Sequence, residues 1–346
     1  MTMERRTFLG MTAAALSPTP APAAPNVKLG VDLFSIRDQG WSPNEYLDYC
    51  AKWGAKVVHF SEIRFIRNLE PDNLKQVRAH AEELGIEIEI GMRSICPTST
   101  LFDPKQGTAE EQLTRMVVAA QTVGSHIVRC VLGSSVDRTG AIPFEQHIEN
   151  TVKVLRNVRS RVMDAGLKVA IENHSGDMQG RELKSLIEAA GPEFVGACLD
   201  AGNPLWTLED PHVTLEAVAP YVLTSHVRDT AVWLAPEGAA VAWTRMGEGN
   251  VDIASYVRRY IERCPGRALS LEIIVTGPRY FNYRDPKFWD AYRSVPAWDF
   301  ARFLTLAEKG QPKPAPPPLR GEAAKTRQRE DLEASLTWTK DFLAKL

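Results

Sequence analysis

Residues 168–174 read KVAIENH, a short run with little charge that stops on Glu172, Asn173 and His174. A carboxylate and an imidazole at the end of a buried segment are costly unless something satisfies them. The neighbouring stretches repeat the pattern. HIVRCVL (126–132) lies upstream, and FVGACLD (194–200), YVLTSHV (221–227) and ALSLEII (268–274) lie downstream. Toward the N-terminus, VKLGVDLFSI (27–36), KVVHFSEI (56–63) and IEIEIGM (86–92) read as further strands. Helical periodicity fills the intervals, over 43–53, 71–84, 108–123, 144–165, 181–190, 211–218, 252–263 and 296–309. Pro43 and Pro71 stand in first turns, where a missing N–H costs nothing.

The strand runs are apolar without clean alternation, as parallel strands covered on both faces should be. Eight strand–helix units over 27–309 predict an α/β fold, a closed (β/α)8 TIM barrel. An open doubly wound sheet would want a glycine-rich turn after its first strand, and SIRDQGWSP supplies none.

The 346 residues are 44% hydrophobic and 24% charged, a soluble globular composition. A net charge of −2 with no basic stripe speaks against a nucleic-acid partner. Five cysteines (50, 96, 130, 198, 264) form no CxxC pair and read as small buried hydrophobes. Residues 1–26 carry Arg5-Arg6, then Phe8-Leu9, a small-residue stretch and Ala21-Pro22-Ala23. This resembles a twin-arginine export signal and predicts an exported, periplasmic protein that meets the twin-arginine machinery. In 310–346 a proline-rich linker precedes a charged helix, expected to pack on the barrel wall or on a partner subunit of a homo-oligomer.

In a barrel, the C-terminal strand ends face one polar mouth. The last four expected strands end near Glu172, Asp200, His226 and Glu272. Three carboxylates and one imidazole suit one divalent ion, Mn2+ or Mg2+ first, with Zn2+, Co2+ and Fe2+ also compatible. Without a cation such carboxylates would repel one another and take up protons. An ion chelated by a substrate carbonyl and its neighbouring hydroxyl stabilises enediolate charge, and a carboxylate can then move the carbon-bound proton. Glu172 and Glu272, across the mouth from each other, are the candidate acid and base. Two opposed bases permit inversion at carbon, whereas one permits aldose–ketose transfer.

Other residues are candidates for the substrate. His59 and Glu62 end the second strand, where His59 could equally be a core histidine. Arg93 and Arg129 follow or end the third and fourth strands, as sugar-oxygen or phosphate ligands or as wall ion pairs. His174 orients Glu172 or bonds a substrate hydroxyl, and Asp229 is expected to hold His226 from behind. Aromatics at 206, 233, 243, 280, 281 and 283 suit a sugar ring or an aromatic aglycone, or ordinary loop packing.

With these residues in place, the chain resembles the xylose isomerase-like barrel superfamily of sugar phosphate isomerases and epimerases. The likeness covers 28–309 and rests on AIENH, LDAGNP, SHVRD, GEGNVD (247–252) and LEI. It implies one divalent metal on Glu172, Asp200, His226 and Glu272, with the two glutamates as proton carriers. Ketose 3-epimerases of this superfamily place a substrate-binding histidine where this chain has Asn203. They carry an arginine six residues beyond the metal histidine, where Val232 stands here, with Arg228 only two beyond. The resemblance thus supports the metal frame more than that one specificity, and its multi-metal nuclease branch needs more histidines than the seven present.

The expected activity is a metal-dependent sugar isomerase or epimerase acting on a small carbohydrate. A 3-keto-glycoside lyase would use the same metal and base for β-elimination. A non-catalytic exported carbohydrate-binding barrel is the reading from a different class.

Overall fold

The computed structural model describes residues 27–346, so the expected export signal at 1–26 lies outside the described residues. The strands, in chain order, are β1 (Leu29–Asp32), β2 (Val57–Phe60), β3 (Glu87–Ser94), β4 (Ile127–Val131), β5 (Lys168–Glu172) and β6 (Val195–Asp200). They continue with β7 (Val222–His226), β8 (Asp229–Ala235), β9 (Gly238–Thr244), β10 (Leu269–Leu271) and β11 (Arg279–Phe281). An eight-stranded parallel sheet runs in the order β10-β1-β2-β3-β4-β5-β6-β7. β1, β2, β4 and β6 are buried along their whole length, as strands under a helical coat must be.

The sheet is nearly closed. The seam is a short bridge between Val227 and Leu271 rather than a long ladder. Val227 N donates to Ser270 O at 2.8 Å, and Glu272 N donates to Val227 O at 3.1 Å. The backbone of Glu272 therefore fastens the barrel at the point where its side chain enters the mouth.

Helix starts follow the local chemistry. Ser42 and Glu45 form a reciprocal cap ahead of Pro43–Lys52, and Thr108 and Glu111 do the same for Ala109–Val123. The second of these helices ends at Gly124, whose φ of 81° suits a residue without Cβ.

Two departures from expectation shape the outer wall. The segment after β7 was expected to be a loop but forms the β8–β9 hairpin, and β11 joins it as a third antiparallel strand. Both hairpin strands are almost fully buried, so neither shows the polar alternation that would mark a half-exposed strand. The helix Ala297–Lys309, expected to be the eighth of the barrel, packs on this hairpin through Phe303 and Ala307.

The eighth position is filled by Gly321–Leu343, which buries Leu332 and Leu336 in the main core. It is flanked on one side by Pro43–Lys52, through Tyr49 to Glu333 at 2.9 Å. On the other side, Arg258 lies over Phe342 at 5.6 Å. The helix also reaches the mouth loops: Gln328 bonds Asp38, and Arg245 bonds Asp331 at 2.7 Å. Among the described residues no helix is long and apolar enough to cross a membrane.

Candidate metal centre at the barrel mouth

Glu172, Asp200, His226 and Glu272 come together at the C-terminal ends of β5, β6, β7 and β10, with their ligand atoms all within 4.8 Å of one another. All four side chains are buried. His226 Nε2 is 2.8 Å from His59 Nδ1, and His226 Nδ1 lies 3.0 Å from Glu172 Oε2 and 3.5 Å from Glu272 Oε2. With Nε2 directed at His59, Nδ1 faces the carboxylates, buried and with no partner but their oxygens, so a proton or a divalent cation can bind there. The donor set therefore fits a divalent metal.

The carboxylates are not alone. Arg129 donates to Glu172 Oε2 through Nε at 2.6 Å and Nη2 at 2.5 Å. Arg228 Nη2 bonds both Asp200 Oδ2 and Glu272 Oε2. Asp200 Oδ1 accepts from the backbone N–H groups of Gly202 and Asn203, each at 2.7 Å. Burial pushes Asp200 up to about 7, with Glu272 and Glu172 adding repulsion against the pull of Arg228. Burial acts the same way on Glu172, but Arg129 and His226 overcome it and hold that acid well below the usual range. Desolvation opposes the charge on His226, and the carboxylates of Glu172, Asp32 and Glu272 raise it well above the ordinary imidazole value. Cys198 Sγ lies 3.9 Å from Glu172, and burial pushes its thiol up to about 12, so it stays neutral.

A cavity of ≈ 290 Å³ opens over this cluster, and its wall includes Arg129, His174, Asn203, Arg228, Trp243 and Glu272. Of the two glutamates only Glu272 lines it; Glu172 is fully buried behind. His174 Nδ1 donates to Gly133 O at 2.7 Å, which leaves Nε2 as an acceptor beside Ser175 Oγ at 3.3 Å. Asn203 Nδ2 donates to Asn173 O at 2.8 Å, while its Oδ1 is buried without a partner. Glu62 and Arg93 stand at the rim, shared with an adjoining cavity of ≈ 330 Å³.

Of the two readings open for His59 the structure gives the core one: it is fully buried behind His226 and does not line the cavity, because β2 points it into the barrel rather than to the mouth. The expectation for Asp229 needs correction. Asp229 does not support His226; its carboxylate accepts from the backbone N–H groups of Thr230, Gly247 and Gly249, which fixes the hairpin base. Asp32 and Glu89 join this cluster without being among the residues singled out in the sequence. Asp32 Oδ2 lies 3.4 Å from His226 Nε2 and 3.7 Å from His59 Nδ1, and Glu89 Oε2 is 3.7 Å from His59 Nδ1. The signal was present in GVDLF, an apolar run ending on an acid like the later strands.

The family model described as "Xylose isomerase-like TIM barrel" matches residues 47–286. The chain belongs to the xylose isomerase-like TIM barrel family. Among curated proteins, it is 25% identical over 185 residues to a 3-oxo-isoapionate decarboxylase of Pectobacterium atrosepticum. That match spans 54% of this chain and 60% of the relative's length. Among solved structures, D-psicose 3-epimerase from Clostridium cellulolyticum superposes with a TM-score of 0.57 at 14% identity, covering 82% of this chain and 100% of the other. A 3-keto-D-glucoside 4-epimerase from E. coli gives 0.56 at 14% identity, covering 81% and 100%. At these identities the structural likeness speaks for the fold alone.

Proposed function

We propose that this barrel is a divalent-metal-dependent sugar isomerase or epimerase that moves a proton on a carbon next to a carbonyl. The observation that carries the reading is the meeting of three buried carboxylates and an imidazole nitrogen turned toward them beneath a cavity of monosaccharide size. Bound to Glu172, Asp200, His226 and Glu272, a divalent ion would polarise the substrate carbonyl and adjacent hydroxyl.

The chain's own groups divide the remaining work. Glu272 faces the cavity and is placed to take the proton from carbon and return it. Glu172 is held ionised by Arg129 and does not line the cavity, so it is the weaker candidate for a second base. This asymmetry favours one-base transfer between neighbouring carbons over inversion by two opposed bases. His174 Nε2 and Asn203 Oδ1 are acceptors suited to substrate hydroxyls, and the Trp243 ring offers a flat face to a sugar.

A second reading is favoured by the adjoining cavity. Its floor includes Ile63, Leu69, Met92 and Met116, and it meets the mouth at Glu62, Arg93 and Leu101. A glycoside could keep its sugar at the metal and its aglycone next door, and a 3-keto-glycoside would then undergo elimination by the same base. The name of the curated relative, a 3-oxo-isoapionate decarboxylase, also carries an oxo group.

Incubation with free ketoses and with 3-keto-glucosides in deuterated buffer containing Mn2+ separates the two. Solvent deuterium in an unbroken sugar supports isomerisation, and aglycone release supports the lyase. Failure of the Mn2+-loaded chain to exchange any carbon-bound proton in either class would refute both.

A further inference from the structure

Arg228 lies two residues beyond His226, in the join between β7 and β8. Its stem crosses Gly202, where a Cβ would sit 2.6 Å from Arg228 Cγ. Its guanidinium lies 4.3 Å from the centroid of the Trp243 ring, and Trp243 Nε1 is tied to Gly202 O at 3.2 Å. A missing side chain and an anchored aromatic face thus form a slot for this one arginine. The slot delivers Nη2 to Asp200 and Glu272, two of the four metal-ligating candidates. A divalent ion and the guanidinium contend for the same two carboxylates.

Charge makes the contest sharper. Counted apart from His226, the three carboxylates and the guanidiniums of Arg129 and Arg228 carry one net negative charge when ionised. A divalent ion added to that set would overshoot to one positive charge. If the guanidinium of Arg228 withdraws, the ion, Arg129 and three carboxylates sum to zero.

We propose that Arg228 is the resident counter-ion of the metal-free centre, that metal loading displaces it from Asp200 and Glu272, and that it thereby sets the affinity for metal. The proposal rests on the metal reading above. Displacement needs no rearrangement of the backbone, because Arg228 already borders the mouth cavity. There its fork of donors meets substrate oxygens instead of ligand oxygens. The arginine thus keeps the empty centre assembled and serves the substrate once the centre is filled.

The test uses the chelator-stripped full chain as wild type, R228K and R228Q. Each is titrated with Mn2+ by calorimetry and melted with and without the ion. R228Q is expected to bind Mn2+ about tenfold tighter or more, a gain set by removal of the competing state, with R228K between. Metal-free R228Q melts lower than wild type, and Mn2+ narrows the gap. Millimolar guanidinium chloride weakens Mn2+ binding to R228Q but not to wild type, an effect that a packing defect would not produce. Equal or weaker Mn2+ binding by R228K and R228Q overturns the proposal while leaving the metal reading intact. Should R228Q fail to fold, R228K alone decides. If none of the three binds Mn2+ or Zn2+, the metal reading fails and the proposal falls with it.

Discussion

The two halves of the barrel do different jobs at its mouth. β5, β6, β7 and the end of β10 contribute Glu172, Asp200, His226 and Glu272, whose ligand atoms converge on one point. β1 to β4 contribute Asp32, His59 and Arg129, which reach the first set from behind, and Glu89, which stands beside His59. One half offers ligands and the other fixes their direction and charge. A metal site depends on both, because a ligand that is free to turn binds weakly.

The largest expected effect breaks the symmetry inside the first set. Glu272→Gln should lower turnover by ~10²–10⁴-fold, the range for a lost general base. Glu172→Gln should cost less turnover but more metal affinity. Steady-state rates and Mn2+ titrations of both variants check this, and an equal loss of turnover would restore the two-base scheme.

The supporting half is tested at His59. Replacing it with phenylalanine leaves His226 Nε2 without its acceptor and should cost ~10–100-fold in metal affinity. Calorimetric affinities unchanged from wild type would demote β2 to simple packing.

Acidity sharpens the comparison further. His226 is held well above its ordinary value in the metal-free centre, so at neutral pH the metal must expel its proton. Affinity should therefore rise by up to ~10-fold per pH unit until that folded value is passed, because one proton leaves per ion bound. Calorimetry in buffers of different ionisation enthalpy counts the protons released, and a count of zero contradicts the assignment.

The smallest effect concerns stability. Burial raises Asp32 and Glu89 to about 7, above their unfolded values. Between the unfolded values and about 7 the native state binds more protons than the unfolded chain, so metal-free stability falls as pH rises through that window. Asp32→Asn should flatten the fall in melting temperature between pH 5 and 8, removing on the order of 1–3 kcal/mol of pH dependence. A melting curve as steep as wild type's would show that Asp32 is not the group responsible.

The ligand half was the more legible half in sequence, for a physical reason. Each of its strands is a bare apolar run stopped by an acid or imidazole, and the barrel's geometry does the rest. Asp32 carried the same mark in GVDLF, while Glu89 was masked by the alternating acids of IEIEIG. Arg228 was legible only as an arginine two residues beyond His226. Its partners were not, because the slot needs Gly202 from β6's loop and Trp243 from a hairpin that reads as apolar throughout. The misassigned eighth helix has a similar origin. Both 297–309 and 321–343 are amphipathic, and only the three-dimensional position of the hairpin decides which of them reaches the barrel.

The outer wall's final stave is joined to the rest only by the largely exposed proline strap at 310–320, yet it buries Leu332 and Leu336 and is bonded to loops near both residue 38 and residue 245. A protease cut in that strap would therefore leave two pieces still clasped together. The protein has the makings of a split reporter, in which the supply of one detached helix governs whether the mouth can hold its shape.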